Sequence, residues 1–211
     1  QVQKKPVLYF ALMLMLVAGL AAAAKEPVDY VDCMVGTGTS RWMLYPGPSM
    51  PFGMVKLSPD NEDQKWKAGY EARIENVAGF SHIHSWVMAG LLMQPCVGPV
   101  QVTPGKQEEP DAGYRSRIDK QSEVAEPGYY AVKLTDYGIK AELTTTTRAG
   151  FHRYTFPQSD TAHILLDLLI PSEYGYDVDW AFVKKVSDRE IEGFSKQRKY
   201  DHFSSLLNEY T

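Results

Sequence analysis

Two histidines stand two residues apart in Gly79-Phe80-Ser81-His82-Ile83-His84-Ser85-Trp86. In an extended segment alternate side chains point the same way, so both imidazoles would share one face, an arrangement useful to a metal site or a polar sugar site. Zinc needs a third protein ligand, and Cys96 is the only further His or Cys nearby in sequence. The alternatives are a pair of histidines held by backbone hydrogen bonds, or the same donors serving a hydroxyl-rich ligand. Trp42, Trp66 and Trp86, with Tyr45 and Tyr70, fall in the same stretch of chain. Sugar rings stack their flat C–H faces on aromatic rings while their hydroxyls bond to polar side chains, so this mixture fits a carbohydrate site. Each aromatic could equally fill a core.

Other chemistry finds less purchase. Gly36-Thr37-Gly38 invites a phosphate-loop reading, but Arg41 occupies the third glycine position of a dinucleotide fingerprint and no helix follows. Three small residues still let backbone N–H groups approach a ligand, or simply make a tight turn. Paired carboxylates for glycoside hydrolysis could be sought in Asp60, Glu62 and Asp63, in Glu108 and Glu109, or in Asp177 and Asp179; all three clusters read as solvated loops. No Ser-His-Asp or Cys-His spacing stands out, and such triads are set by geometry rather than by sequence position.

The elements that must position these residues have a period of two. Tyr130, Val132 and Leu134 alternate with polar or small neighbours, Thr135-Asp136-Tyr137-Gly138 makes a turn, and Ile139, Ala141 and Leu143 alternate in return. A further strand over Phe151–Phe156 is stopped by Pro157, and Ala162–Leu169 has the length and apolarity of a strand buried on both faces. Phe182–Val186 and Glu190–Phe194 flank a turn as another hairpin. No convincing amphipathic helix appears after residue 24, and the sum is an all-β, antiparallel β-sandwich. Residues 36–98 are rich in Gly, Pro and Trp and weakly periodic, hence loop-rich, and loops on a rigid sandwich are where binding sites sit. Residues 105–113 read as a solvated excursion.

The chain has 211 residues, 44% hydrophobic and 23% charged, with a net charge of -4, which fits a folded domain and advertises no basic surface for nucleic acid. Lys4 and Lys5, the apolar run Val7–Leu20 and the small residues Ala21–Ala24 compose a secretory signal peptide over residues 1–24. The run is too short to span a bilayer, so no membrane partner is expected after cleavage. The mature domain would then occupy residues 25–211, secreted or periplasmic. Cys33 and Cys96 read as two small buried side chains rather than a required staple. A first residue Gln1 and an unterminated strand pattern near Thr211 read as a fragment, incomplete at its C-terminus. From the residues alone the reading ends at an exported β-sandwich with a sugar-binding loop region.

An ordered set of blocks carries it further. Val31-Asp32 with Gly36-Thr37-Gly38, Tyr45-Pro46-Gly47, Pro51-Phe52-Gly53-Met54-Val55, Leu57-Ser58-Pro59-Asp60, Trp66, Gly69-Tyr70, residues 79–84, residues 126–130, residues 136–139 and residues 150–157 follow one another along the chain. In this order they resemble the N-terminal domain of glycoside hydrolase family 92, the calcium-dependent exo-acting α-mannosidases. The resemblance implies a sandwich of the galactose-mutarotase-like (supersandwich) type, partnered by an α/α-barrel domain absent from this chain. It implies hydrolysis of terminal α-mannosides of glycans with inversion, by a Glu acid and an Asp base standing roughly 6.5 to 9.5 Å apart around a water. Those two carboxylates and a calcium ion would belong to the missing domain, so no catalytic residue, no metal ligand and no complete calcium site is expected here.

By carry-over, Thr37, Gly38, Trp66, Tyr70, Ser81, His82 and His84 are the residues expected to line the sugar subsites. Residues 39–44 and 85–90 depart from the family's common Gly and His-rich and Ser-Gly-Thr-Gly types, so the resemblance fixes no linkage. The rival from another class is a non-catalytic carbohydrate-binding β-sandwich module using the same aromatic loops.

Overall fold

Short runs of β-branched, aromatic and leucine residues, each stopped by Gly, Pro or a polar turn, leave this chain little to build but strands. A computed structural model describes residues 25–38, 44–61, 69–84, 88–169, 176–199 and 207–210. The expected leader lies outside the described residues, as do Trp42, Trp66 and Trp86. The chain divides into two units after Val31. The described part of the first is a short stretch with a 3-10 turn over Pro27–Tyr30, where Glu26 N–H donates to the Asp29 carboxylate at 2.8 Å.

In the second unit the described residues form three antiparallel sheets. The first orders β1 (Ser58–Asp60), β3 (Gly79–His84), β4 (Met88–Val97) and β9 (Ala162–Asp167) side by side. The second runs β2 (Asn76–Val77), β5 (Ser116–Glu126), β6 (Tyr129–Leu134), β7 (Ile139–Thr145) and β8 (Gly150–Thr155). The third joins β10 (Tyr176–Ser187), β11 (Glu190–Lys199) and β12 (Leu207–Tyr210). The first two sheets face each other across a core of Leu57, Val77, Phe80, Ile118, Tyr130, Val132, Leu134, Ile139, Ala141 and Leu143. The inward set of β6 and β7 is the one their alternation predicts, and the turn at 135–138 joins them in register from Leu134↔Ile139 to Tyr130↔Leu143.

Three expectations change. Residues 36–98 hold β1 to β4, including the ten-residue β4 that is central to the first sheet, so this stretch is less loop-like than its composition suggests. Strand β9 lies at the edge of its sheet and Ile164 is 46% exposed, so it is not buried on both faces. The β10–β11 hairpin runs well past the expected residues, through two irregularities in register. Cys33 and Cys96 are free thiols; Cys96 is buried, whereas Cys33 is only partly so.

Strand β5 carries a wide bulge, its register jumping between Asp119 and Val124. The looped-out residues have work to do. Glu123 accepts hydrogen bonds from the hydroxyls of Tyr70 and Tyr130, and Lys120 donates to Glu123 and to the Tyr70 hydroxyl. Burial, then the Glu123 charge, holds the Tyr70 phenol far above its ordinary range, so it stays a donor.

Candidate functional site

Residues 62–68 lie outside the described residues; on either side of them stand Asp60 and Asn61, at the end of β1, and Gly69. Asn61 N–H donates to Gly69 O at 2.8 Å. The Asn61 side chain then imitates a strand partner: its Oδ1 accepts from Glu71 N at 2.8 Å and its Nδ2 donates to Glu71 O at 3.0 Å. Arg115 adds a bond from Nη1 to Asn61 O at 3.1 Å. An amide can do this because it carries both a donor and an acceptor, which Asp60 beside it does not.

Asp60 faces the other way and is 2% exposed. Its Oδ1 accepts from Ser81 Oγ at 3.0 Å and meets His84 Nε2 at 2.7 Å, while His84 Nδ1 donates to Lys56 O at 2.8 Å. Its Oδ2 is buried without a hydrogen-bond partner among the described residues. The sequence reading of Asp60 as part of a solvated loop is therefore corrected: strand pairing of Asp60 with Gly79 carries the side chain into the protein beside Ser81. Glu108 and Glu109 are exposed, as expected; Asp177 and Asp179 are exposed too but belong to strand β10 and not to a loop, and Glu62 and Asp63 lie outside the described residues.

Serine, histidine and aspartate in one knot suggest a nucleophilic triad, but the geometry is wrong for one. Ser81 Oγ lies 3.5 Å from His84 Nε2 and donates to the carboxylate instead. The nitrogen that would take the serine proton is already engaged with Asp60, and Ser81 and His84 are wholly buried. A nucleophile needs a free base and an approach for substrate, and this serine has neither.

His82 and His84 do not share a site, contrary to the expectation from extended spacing. Between them β4 bulges, with Ser81 opposite Leu92 but Ile83 opposite Ala89, and Gly90 takes the φ of +87° that the bulge needs. The bulge turns Leu91 O onto His82 Nδ1 at 2.7 Å. His82 then reaches across to the second sheet, where its Nε2 lies 3.1 Å from His152 Nε2, and His152 Nδ1 meets the Tyr154 hydroxyl at 2.7 Å. Leu91 O can only accept, so His82 carries its proton on Nδ1 and offers Nε2 as acceptor; His152 donates from Nε2 and accepts the tyrosine proton on Nδ1. Burial lowers both basicities, that of His152 to about 3. The backbone-anchored reading thus describes the Nδ1 atom of both histidines. His152 was missed in sequence, though its place two before Tyr154 and four before Phe156 put it on the inward face of β8.

Thr37 is buried, its N–H and hydroxyl both donating to Met34 O, so Gly36-Thr37-Gly38 is a tight turn. Thr37 O accepts from Ala72 N at 2.9 Å, tying this turn to the turn at Glu71–Ile74 that the Asn61 side chain holds. Leu44, where the chain is next described, comes so near Gly36 that a Cβ there would lie 2.1 Å from Leu44 Cδ1. Tyr45 packs its ring on His84 with centroids 5.3 Å apart. Of the expected sugar-lining residues, Ser81 and His84 meet at Asp60, whereas Thr37 is buried in its own turn, bonded to Met34 and Ala72, and Gly38 keeps partial exposure. Tyr70 is 1% exposed with its hydroxyl committed to Glu123, His82 is turned toward His152, and Trp66 lies outside the described residues.

The glycosyl hydrolase family 92 N-terminal domain model matches residues 30–210. The chain belongs to family 92. This family 92 domain is 32% identical over 155 residues to an uncharacterized secreted glycosidase of Arthroderma benhamiae, covering 69% of this chain and 19% of that protein. A solved family GH92 α-mannosidase from Bacteroides thetaiotaomicron is 34% identical, with a TM-score of 0.75 over 84% of this chain and 25% of its own. The same enzyme in complex with mannoimidazole matches at a TM-score of 0.73, over 83% of this chain and 24% of its own. The family 92 chain thus spans about a fifth to a quarter of the relatives it matches. Among its described residues no group of three His, Cys, Asp or Glu side chains is placed to hold a metal ion.

Proposed function

We propose that this chain is the N-terminal domain of an exported α-mannosidase that removes terminal α-mannosides from glycans with inversion. Its share of that work is to supply loops to the sugar cleft. The acid and base, and the calcium ion that the family resemblance implies, would come from the remainder of the full-length protein, an α/α-barrel domain. The observation that carries this reading is the family match over residues 30–210, supported by a chain of contacts in which residues 36–38, 60–61, 69–72, Tyr45 and His84 are linked by hydrogen bonds or ring contact. Next to these residues in sequence stand Trp42, Trp66 and Trp86, side chains suited to stacking on sugar faces. Export is supported by the composition of residues 1–24 and by the name of the Arthroderma relative.

The test is to supply the full-length protein with an α-linked mannobiose and follow the products by proton NMR. Release of mannose that first appears as the β-anomer, and stops on chelation of calcium, is the expected result. Sugar binding without hydrolysis would favour a non-catalytic carbohydrate-binding module, and retention of the α-anomer would overturn inversion.

A further inference from the structure

The outward face of the second sheet carries a row of charged side chains. Strands β5 to β8 set Asp119, Lys133, Lys140 and Thr155 side by side, because Asp119 pairs with Lys133, Lys133 with Lys140 and Lys140 with Thr155. Like charges at directly opposite positions of a hairpin destabilise it, and here nothing in the core requires them, since Lys133 and Lys140 are both exposed. Their charge is only partly met. Lys140 Nζ lies 3.1 Å from Glu142 Oε1, but that carboxylate already takes two bonds from Arg153, of 2.6 and 2.7 Å, and one from the Tyr129 hydroxyl. Lys133 has no ion pair among the described residues; Asp119 stands opposite it, and the Asp119 Oδ1 accepts from Gln121 N at 3.0 Å.

This row borders an open cavity of about 300 Å³, lined by Lys133, Lys140 and Thr155 together with Ser122, Phe156 and Pro157. We infer that the cavity binds an oxyanion, a phosphate or sulfate group, with Phe156 and Pro157 placed to take the ring of a sugar that carries it. The donors available are two ammonium groups and the Thr155 hydroxyl, which has no partner among the described residues. Ser122 is a wall and not a donor: its hydroxyl gives its proton to Asp119 O at 2.7 Å and accepts from Lys133 N at 2.9 Å, which pins the backbone that carries Lys133. No carboxylate is among the lining residues. A phosphate or sulfate has three free oxygens when it is borne on a sugar, one for each of the three donors, and its charge offsets the repulsion between Lys133 and Lys140. A neutral sugar would leave that repulsion in place, and a cation would add to it. The volume lies at the lower end for ligand cavities and suits a monosaccharide better than an oligosaccharide. The site shares no residue with the expected sugar-lining set, so it does not rest on the mannosidase reading.

The experiment titrates the full-length protein with glucose 6-phosphate, glucose and inorganic phosphate by calorimetry at constant ionic strength. Wild type is compared with Lys133→Gln, with Lys133→Gln combined with Lys140→Gln, and with Thr155→Val. Glucose 6-phosphate should bind at one site, at least about tenfold tighter than glucose, and the double variant should lose at least about tenfold in that affinity. Lys133→Gln removes no ion pair from the sheet and should by itself give a large part of the loss, with Thr155→Val giving a smaller one. Inorganic phosphate should bind more weakly than the sugar phosphate; equal affinity would overturn the role given to Phe156 and Pro157 and leave a site for the free oxyanion. Excess α-linked mannobiose should leave the titration unchanged. Displacement by mannobiose, the lack of saturable binding, or unaltered affinity in the double variant overturns the inference. None of these outcomes depends on whether the protein cleaves mannosides, so a failure of the proposed function would be read separately.

Discussion

Trp66 and Tyr70 are four residues apart, and side-chain chemistry assigns them different work. An indole between Lys65 and Lys67, in a polar stretch, has little apolar company in sequence, and stacking on a sugar face is the use proposed for it. In the full-length protein Trp66→Ala should reduce catalytic efficiency on a disaccharide by about 1 to 3 kcal/mol, with the melting midpoint nearly unchanged. A large drop in midpoint with normal kinetics would make Trp66 a core residue. Tyr70 calls for the opposite outcome, because its hydroxyl bridges Lys120 and Glu123 inside the β5 bulge. Tyr70→Phe leaves Glu123 with Tyr130 and Lys120, so about 1 to 2 kcal/mol of stability should be lost in a urea titration while KM is unmoved. A raised KM at full stability would return Tyr70 to the sugar site.

At the scale of elements, the contact between His82 on β3 and His152 on β8 clasps the two main sheets through a pair of neutral imidazoles. Burial, and for His152 repulsion from the like charge that His82 would carry if protonated, disfavours protonation in the folded chain; His84 and Asp60 are the other ionisable groups that act on His82. A histidine with a depressed folded pKa binds fewer protons folded than unfolded once the pH falls below about 6.5, so stability is lost as the medium is acidified from there. Most carboxylates stay ionised down to about pH 4.5, so the loss above that point belongs to the histidines. Urea midpoints should show about 2 to 3 kcal/mol less stability at pH 4.5 than at pH 6.5, with most of the difference gone in His152→Leu. A wild-type profile flat across that window would mean that the pair accommodates a proton without strain.

For the molecule as a whole, the third sheet presents apolar surface. Trp180 is 56% exposed and stacks with Phe182 and Phe194 at centroid separations of 5.5 and 5.2 Å, and Val183, Val186 and Ile191 are also exposed. Aromatic surface of this kind on a soluble protein is ordinarily covered. Residues 25–211 made alone should therefore self-associate, and Trp180→Thr with Phe182→Thr should shift the size-exclusion profile toward monomer. The same piece should release no mannose from α-mannosides with or without calcium, since binding groups lacking an acid and a base contribute little rate. A monomeric wild-type piece would contradict the first expectation, and calcium-dependent mannose release the second.

Strand alternation and turn chemistry are local, which is why the β6–β7 hairpin and the existence of a strand at β8 could be read from residue types alone. The family, too, was legible, because an ordered series of short blocks survives without any knowledge of contacts. What sequence could not supply was the partner of each polar group. Asp60 looked solvated beside Glu62 and Asp63, and only the pairing of β1 with β3 buried it against Ser81 and His84. His82 and His84 looked like one site, and the extra residue in β4 separated them, giving one to Asp60 and the other to His152, seventy residues further along the chain. Those outcomes depend on register and on contact between sheets, and a single inserted residue changes both without leaving a periodic signature in the sequence.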